Sequence, residues 1–324
     1  PIGNTMGTPA PLESLLDYAS LVLREADLNK KAASTREAYT RWKRGELPTR
    51  TGQRKDYKAP DYPGRPKSVE VVAPGRTARR GKGGSLEKRV AMIHSFAHIE
   101  SMAIDLSWDI ILRFHGEEHL TDEFFGDWLK VAWDEARHYE MWASRLEELG
   151  SGYGALAVHN GLWESAMESK GSLLDRLCII HMVHEARGLD VTPKSIQRLK
   201  SAGDKKSAAL LQEIYEDEIT HVEAGVKWFK LLCKARNLDT INTFHDTVRT
   251  KFNGPLKPPF NTVARDKAGF TEEWYLPLVR KKDRGGAGQT KNQAQIKTVV
   301  SDKKVCQREA KEKIRAAGAE PHQE

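Results

Sequence analysis

Two copies of the pattern Asp-Glu-x-x-His lie 83 residues apart in the chain, as DEARH beginning at Asp134 and DEITH beginning at Asp217. In an α-helix, residues three apart in sequence lie about 60° apart around the axis, so the Glu and His of each copy share one face. Each copy lies in an amphipathic run of helical period. The chain must therefore bring two acidic, histidine-bearing helix faces together or leave both in solvent.

Four long apolar runs of helical period occupy the middle of the chain. Thr121 can cap the second run, and Gly116 and Gly150 end the first two. The third run is predicted to stop before Gly188, and Thr192-Pro193 to start a separate short helix. The four runs cover roughly 86–115, 121–149, 162–187 and 204–236, and a Gly-rich crossing occupies 150–161. This pattern predicts an all-α chain built on a four-helix bundle with one long crossover.

The first and third runs each carry a glutamate at a similar distance from the following motif. Glu100 precedes Glu135 by 35 residues, and Glu185 precedes Glu218 by 33. Two helical hairpins would then each supply half of a two-metal site, with Glu100, Glu135, His138, Glu185, Glu218 and His221 as ligands. Carboxylates with two imidazoles suit two iron ions, or manganese, better than structural zinc. Because Glu185 is close to Gly188, either the third helix continues past this glycine or Glu185 lies at the rim of the site.

Three more residues are candidates for a layer around the ligands. Asp134 and Asp217 directly precede ligand glutamates, and each can accept the free N–H of a ligand histidine. His181 is one turn before a ligand and could act in the same way. His94 and His98 are interpreted as packing or surface histidines, because His98 faces away from the ligand on its helix. A single Glu-x-x-His is common on helix surfaces, so the prediction depends on the two matched copies, and no residue is assigned a catalytic role.

The charge of the chain is unevenly distributed. Residues 41–85 hold 13 Lys/Arg against 4 Asp/Glu, and residues 280–324 hold 12 against 6, whereas residues 86–279 hold 23 against 30. Basic flanks around an acidic body indicate a polyanionic partner, and RNA, in particular ribosomal RNA, is the expected one. The residues expected to contact its phosphates are Arg76, Arg79, Arg80, Lys82, Arg280, Lys281, Lys282 and Arg284. The alternative is that both flanks are only solvated, since neither matches an RNA-binding module.

Composition divides the chain into four parts. Residues 1–47 are predicted to be helical, 48–85 an extended basic linker, 86–279 the metal-binding domain and 280–324 a basic tail. Three widely spaced cysteines, Cys178, Cys233 and Cys306, indicate free thiols in a reducing compartment. Apolar runs are too short to span a membrane, so no membrane association is expected. The mitochondrial matrix is the expected location, with the cytoplasm as the alternative.

Several separate segments of the chain resemble one protein family. They include RRGKGGSLEKRVAMIHSFAHIE, WLKVAWDEARHYEMWASRLEELG, HEARGLDVTP, EDEITHVEAGVKWF and PLKPPFNTVARDKAGF. Together they look like an uncharacterised ferritin-like family of unknown function, which is more distantly similar to the di-iron tRNA hydroxylases. The resemblance covers about residues 60–275 and implies a ferritin-like fold with the six ligands named above. The resemblance implies a fold and a metal site but no particular substrate or reaction.

Two functional hypotheses remain open from the sequence. In the first, a ferritin-like body is held by its basic arms among the proteins and RNA of a ribonucleoprotein, such as a maturing mitochondrial ribosome. In the second, the protein is a di-iron oxygenase or hydroxylase that acts on a tRNA base or a small molecule. The two hypotheses are compatible, because an assembly factor can retain an active site.

Overall fold

The computed structural model describes residues 12–51, 56–79, 81 and 84–280. Across these residues the chain forms helices and connecting segments but no strand, and the prediction of an all-α chain is confirmed. The chain divides into two units, of which the first, Pro1–Gly254 with Asn261–Leu278, contains every described helix. The described residues of the second unit are 255–260 and 279–280, and they include a cis peptide bond between Pro258 and Pro259.

The helices of the described residues follow one another in a single order along the chain. They are α1 (Leu15–Arg24), α2 (Leu28–Lys43), α3 (Leu86–Arg113), α4 (Asp122–Glu148), α5 (Gly161–Glu168), α6 (Leu173–Arg176), a π-helix (Leu177–His184), α7 (Glu185–Ser201), α8 (Lys205–Ala235), α9 (Thr240–Lys251), α10 (Thr262–Lys267), α11 (Glu272–Tyr275) and a 3-10 turn (Leu276–Leu278). Helix α3 packs along α4, and α7 packs along α8, so the long helices pair as two consecutive hairpins.

The third long helical segment differs from the prediction. It begins at Leu173, where α6 continues through the π-helix into α7, and it ends at Ser201. The helix that was expected to run from about residue 162 to Gly188 is instead two elements, because α5 ends before this segment starts. Gly188 and Pro193 both lie inside α7 rather than at its ends.

A contact with a distant part of the chain explains how α7 tolerates its proline. Pro193 has no N–H, so the carbonyl group of Leu189, one turn earlier, loses its helical partner. The side-chain amide of Asn261 donates to that carbonyl oxygen at 3.1 Å, from a position 72 residues further along the chain. At the start of the segment a backbone N–H group finds a local partner, since the Ser172 side chain accepts a hydrogen bond from the Asp175 N–H. A reading of local helix signals therefore misplaced both ends of this segment.

The N-terminal helices and the stretch after them pack on the long helices. Helix α1 contacts α3, and α2 contacts α4. The ammonium group of Lys31 on α2 lies 2.5 Å from the carboxylate of Asp105 on α3, and both side chains are fully buried. Arg65, from the non-helical stretch between α2 and α3, reaches the other oxygen of Asp105 at 2.6 Å. In the same stretch, the carbonyl group of Asp61 accepts a hydrogen bond from the Trp163 indole at 2.7 Å. These contacts attach the basic stretch to the helical body.

Two helical glycines are expected to respond in opposite ways to alanine. A Cβ atom at Gly225 on α8 would lie 2.5 Å from the carbonyl oxygen of His181, whereas a Cβ at Gly188 would meet no atom within 4 Å. We expect Gly225→Ala to destabilise the fold by about 1–3 kcal/mol, because α8 must move away from the π-helix. We expect Gly188→Ala to stabilise it by up to about 1 kcal/mol through helix propensity. Urea unfolding of both variants measures the difference, and equal effects would contradict this packing.

Candidate metal centre

Each of the four long helical segments places one glutamate near a common centre. Glu100 comes from the middle of α3, Glu135 from α4, Glu185 from the first position of α7 and Glu218 from α8. His138 and His221 follow one helical turn after the glutamates of α4 and α8, and they project to the same side. Glu100, Glu135, His138 and His221 are buried, and the Glu218 side chain is 16% exposed.

The ligand atoms of these side chains lie close together. His221 Nδ1 is 3.1 Å from Glu135 Oε1 and 3.4 Å from Glu218 Oε2. His138 Nδ1 is 3.5 Å from Glu135 Oε2 and 3.9 Å from Glu218 Oε1. One ligand atom from each of Glu100, Glu135, His138 and Glu218 lies within 4.8 Å of the others. This cluster of buried acidic and histidine side chains could hold a metal ion.

Glu185 lies beside this four-residue group. Its carboxyl group is close enough to Glu218, Glu135 and His221 for their charges to act on its pKa. Because α7 continues past Gly188, Glu185 is at a junction inside a long helical segment and not at a helix end. The π-helix that ends directly before it changes the register of the segment at the site, which is where such turns often occur.

The aspartates before the two glutamates contact the histidines in a crossed arrangement. Asp217 on α8 lies 3.1 Å from Nε2 of His138 on α4, and Asp134 on α4 lies 3.2 Å from Nε2 of His221 on α8. A carboxylate that accepts the Nε2–H keeps the proton on that nitrogen and leaves the Nδ1 lone pair directed to the centre. Each motif therefore orients the histidine of the other one.

Buried atoms without hydrogen bonds test whether a cation fits this centre. Among the described residues, Glu135 Oε2, His138 Nδ1 and His221 Nδ1 are buried and make no hydrogen bond of acceptable geometry. Such atoms are costly to bury unless another group satisfies them. All three lie in the cluster, and a bound cation would provide the missing interaction. The residues present therefore fit a metal ion.

Without a cation, protons compensate the clustered charge. Burial, together with the neighbouring carboxylates Glu135 and Glu218, raises the pKa of Glu100 well above its usual value, and burial with Glu218 does the same to the pKa of Glu185. Burial also acts against ionisation of Glu135, but its contacts with His138 and His221 outweigh burial and hold its pKa below the usual range. For His221, the effect of burial is reversed by Glu218, Asp134 and Glu135, so its pKa is raised well above normal.

Metal binding should therefore weaken as pH falls. Glu100 and Glu185 keep their protons at a pH where ordinary glutamates have lost them, and a bound cation must displace these protons. The apparent metal affinity should therefore increase as the pH is raised through the pKa values of Glu100 and Glu185. Titrating the metal-free protein with Co²⁺ from about pH 5 to about pH 8 measures this dependence. An affinity that does not change over this range would contradict the assignment.

His181 has different surroundings from those expected. Its ring packs on Trp128 with 4.1 Å between ring centroids, and no described residue forms a hydrogen bond with its Nε2. Its backbone carbonyl group is the group that approaches Gly225. The structure thus places His181 in the packing between the π-helix, α4 and α8, and it shows no hydrogen bond from His181 to a ligand.

His94 and His98 are buried and hydrogen-bonded, so the interpretation of them as packing residues is correct and the surface alternative is wrong. His94 Nε2 accepts from the Gly154 N–H at 2.9 Å. His98 lies 2.9 Å from the Tyr153 hydroxyl through Nδ1 and 2.9 Å from the His159 carbonyl oxygen through Nε2. These partners, Tyr153, Gly154 and His159, belong to the Gly-rich crossing at 150–161.

A cavity of about 540 Å³ adjoins the carboxylates. Four of the predicted ligands, Glu100, Glu135, Glu185 and Glu218, form part of its wall. The rest of the wall comes from α3, α5, the π-helix, α7, α8, the Gly-rich crossing and residues 77–78. The cluster is therefore accessible to a small molecule from one side. Sequence reasoning did not predict this cavity.

A comparison with known proteins identifies the family of the chain. Residues 24–276 match the model of the family described as "Protein of unknown function (DUF455)". The chain belongs to the DUF455 family. Over 211 residues it is 35% identical to an uncharacterised protein of Haemophilus influenzae. The matched region covers 64% of this chain and 73% of that protein. No solved structure matches the chain. The match confirms membership of a family without known function, and it includes all six predicted ligands of this DUF455 chain.

Two further findings concern partners. In the part of the chain described by the structure, no helix has the length and apolar character needed to cross a membrane. Arg76, Arg79 and Arg280 of the predicted RNA-binding residues are exposed. The others lie outside the described residues: Arg80, Lys82, Lys281, Lys282 and Arg284.

The crossed aspartates should control metal affinity in this DUF455 protein. We expect Asp217→Asn to weaken metal binding by about 10–100-fold, because an amide orients the His138 ring less strongly than a carboxylate. Asp217 also contacts Arg137, which in turn contacts the exposed Glu213. Glu213→Gln therefore perturbs the same arginine without touching a histidine, and it should leave the affinity unchanged. Equal affinities for Asp217→Asn and the unaltered protein, measured by competition with a chromophoric chelator, would contradict the orienting role.

Proposed function

We propose that this DUF455 protein is a ferritin-like two-metal carboxylate protein with iron as its metal, and that it acts as an oxidoreductase of the oxygenase type. The observation that carries the proposal is the convergence of glutamates from four helices with two inward-facing histidine Nδ1 atoms. Ferritin-like di-iron bundles use this arrangement, with one glutamate from each of two helices and Glu-x-x-His from each of the other two.

The two hairpins support this choice of architecture. Helices α3 and α4 carry the first Glu…Glu-x-x-His set, and the α6–π–α7 segment with α8 carries the second. Oxygen-rich ligand sets with two imidazoles favour iron or manganese over zinc. Two cations would also neutralise carboxylates that otherwise retain protons. These features support two metals more strongly than one.

The residues of the chain have separable roles in such a reaction. Bound iron would supply redox chemistry with dioxygen. The glutamates hold the metals, and Asp134 and Asp217 keep the histidine protons on Nε2. The adjoining cavity binds the substrate beside the carboxylates and keeps bulk water away from the centre. This cavity favours an enzyme over a purely structural metal site, because a structural site has no need of an open side.

Metal analysis of the protein purified without added metal tests the proposal. We expect two iron ions per chain and consumption of dioxygen when the iron is reduced. Two manganese ions would keep the two-metal site but reject iron. Zinc at one ion per chain, or protein that binds no iron even when Fe²⁺ is supplied, would overturn the proposal.

A second candidate function is docking into an RNA-containing assembly through the basic arms. The exposed guanidinium groups of Arg76 and Arg79 favour it, because they lie beside a body with a net charge of −7 over residues 86–279. Other basic residues of the same flank are engaged with the body, since Arg65 contacts Asp105 and Arg50 donates to the His115 carbonyl oxygen. Phosphate contacts are therefore expected from the cluster at 76–82 and the tail.

A salt titration of RNA binding by the full chain tests this role. Changing Arg76, Arg79, Arg80 and Lys82 to Gln should weaken binding and reduce the slope of log K against log salt, by about 0.7–0.9 for each phosphate that the variant no longer neutralises. Changing four exposed lysines of the body, Lys194, Lys200, Lys205 and Lys234, to Gln removes the same charge and should have a smaller effect. Equal weakening in the two variants would mean that the arms do not form a distinct binding surface.

A further inference from the structure

The cavity beside the carboxylates has mainly apolar walls. Met102 and Ala103 of α3 and Leu211 and Ile214 of α8 are among the residues that line it. Ile99 and Val191, which also line it, are 45% and 43% exposed, so the apolar wall continues to the protein surface. The volume of about 540 Å³ lies within the range of small-molecule sites, which is about 300–1,000 Å³.

Two large polar side chains of the wall, His98 and Tyr215, already have partners inside the protein. His98 uses both ring nitrogens, one with Tyr153 and one with the His159 carbonyl oxygen. The Tyr215 hydroxyl accepts from the side-chain amide of Asn261 at 2.6 Å. Away from the four carboxyl groups, a ligand that enters the cavity therefore meets mainly apolar surface. Polar ligand groups buried there would lose their hydration without replacement.

Charge disfavours an anionic ligand. Four carboxyl groups line the inner part of the cavity, and Arg187 is the single Lys or Arg among the described residues that line it. The Arg187 side chain is 45% exposed and lies within 3.5 Å of the Asp190 carboxylate. Phosphate-bearing ligands, including nucleotides, therefore meet one cationic side chain among the described residues of the wall, and that side chain already faces a carboxylate.

Gly188 leaves one part of the wall without a side chain. It lies inside α7, where glycine costs about 1 kcal/mol relative to alanine. Its backbone does not require glycine, since its φ angle is not positive and a Cβ atom would meet no atom within 4 Å. Packing against a neighbouring helix does not explain it either, in contrast to Gly225. The remaining consequence of this glycine is space in the cavity.

We propose that the cavity is the substrate site of the metal centre, that it takes an uncharged and mainly apolar small molecule, and that Gly188 keeps it open. This inference rests on the proposed function, because it names the substrate class of that same site. It separates the small-molecule alternative from a tRNA base, which would bring phosphates and several polar edges to a wall with few partners for them.

Two dyes of nearly the same shape test the substrate class. N-phenyl-1-naphthylamine is uncharged, and 1-anilinonaphthalene-8-sulfonate adds one sulfonate to the same ring system. We expect the uncharged dye to bind the full-length protein at one site per chain, with a fluorescence increase, and to bind at least about tenfold more tightly than the sulfonate. Adenosine should not displace it. Tighter binding of the sulfonate, or displacement by adenosine, would overturn the proposal.

Two leucine variants test the position of the site. Gly188→Leu should retain the thermal stability of the unaltered protein and weaken binding of the uncharged dye by at least about tenfold, because the new side chain fills the cavity. Gly171→Leu is the matched control, since a Cβ atom there also meets no atom within 4 Å but the residue does not line the cavity. Equal dye binding by the two variants would place the dye elsewhere and reject the inference.

The metal provides an independent readout. Dye binding can be measured on metal-free protein, so failure of the dye test rejects the substrate class without affecting the metal site. Failure of the metal analysis rejects the proposed function without affecting the dye result. On protein loaded with Co²⁺, the fluorescence of the bound dye should be quenched relative to protein loaded with Zn²⁺, because the ligand would lie next to the ions. If the protein binds both the dye and Co²⁺ and no quenching occurs, the cavity is not the substrate site of this centre.

Discussion

Replacing Glu135 and Glu218 together with alanine is expected to abolish iron binding. Glu135 approaches both histidines and Glu218 does the same from the other hairpin, so the double variant lacks the two carboxylates shared by the imidazoles. The measurement is iron content per chain after loading with Fe²⁺ and desalting. We expect about two ions for the unaltered protein and none for the variant.

A stability measurement distinguishes loss of ligands from loss of fold. In the metal-free protein the contacts of Glu135 with His138 and His221 hold its pKa below the usual range, so removing this carboxylate should lower the stability of the metal-free variant at neutral pH. A single cooperative unfolding transition would show that the metal-free variant still folds. Added Fe²⁺ should raise the melting temperature of the parent only. The control changes Glu147 and Glu216 to alanine, which removes one exposed carboxylate from each of the same two helices. Iron retained at the parental level in the Glu135→Ala/Glu218→Ala variant would show that the ligands are elsewhere.

Asp105→Ala is expected to destabilise the protein by about 3–5 kcal/mol, which is the usual effect of removing one partner of a buried ion pair. Lys31 is fully buried beside Asp105, and burial already lowers its pKa. Without the carboxylate, its ammonium group would have to lose its proton or remain buried without a counter-ion. The ion pair between Arg65 and α3 would be removed at the same time.

Two comparisons make this effect interpretable. Asp246→Ala breaks an exposed ion pair with Arg249, and its cost should be below about 1 kcal/mol. The double variant Lys31→Met/Asp105→Leu removes both buried charges and should recover much of the stability that Asp105→Ala removes. If Asp105→Ala cost no more than Asp246→Ala, the N-terminal helices would not be joined to the body through this contact.

The site residues that sequence could predict are those whose relationship is local. Glu135 and His138 share a helix face because of helical periodicity alone, and the same holds for Glu218 and His221. The matched spacing of Glu100 and Glu185 added one carboxylate from each remaining helix. In the structure, these side chains come from the helices that the spacing indicated. The aspartates could be placed near the histidines, but only the structure shows that each contacts the histidine of the other motif.

The third helix shows why local signals can fail. Gly188 and Pro193 are ordinary signals for the end and the start of a helix, and they predicted a long helix ending before Gly188 and a separate short helix after it, where one continuous segment exists. The segment continues because Asn261, far along the chain, replaces the hydrogen bond that the proline removes. Arg65 and Asp61 are a second case, since a Pro- and Gly-rich basic stretch without helical period packs on the body through an ion pair and a backbone carbonyl group.

The sequence by itself determined the all-α class, the first, second and fourth long helical runs and the residue types that could hold a metal, because period, capping and motif spacing act over a few turns of helix. Tertiary structure decided that α7 continues past Gly188 and Pro193, where His94, His98 and His181 lie, and that a cavity beside Gly188 reaches the carboxylates. These properties depend on contacts between residues tens of positions apart, and a cavity in particular is defined by the atoms that surround it. No local pattern can specify such contacts, because their free energy exists only when the distant partner has folded into place.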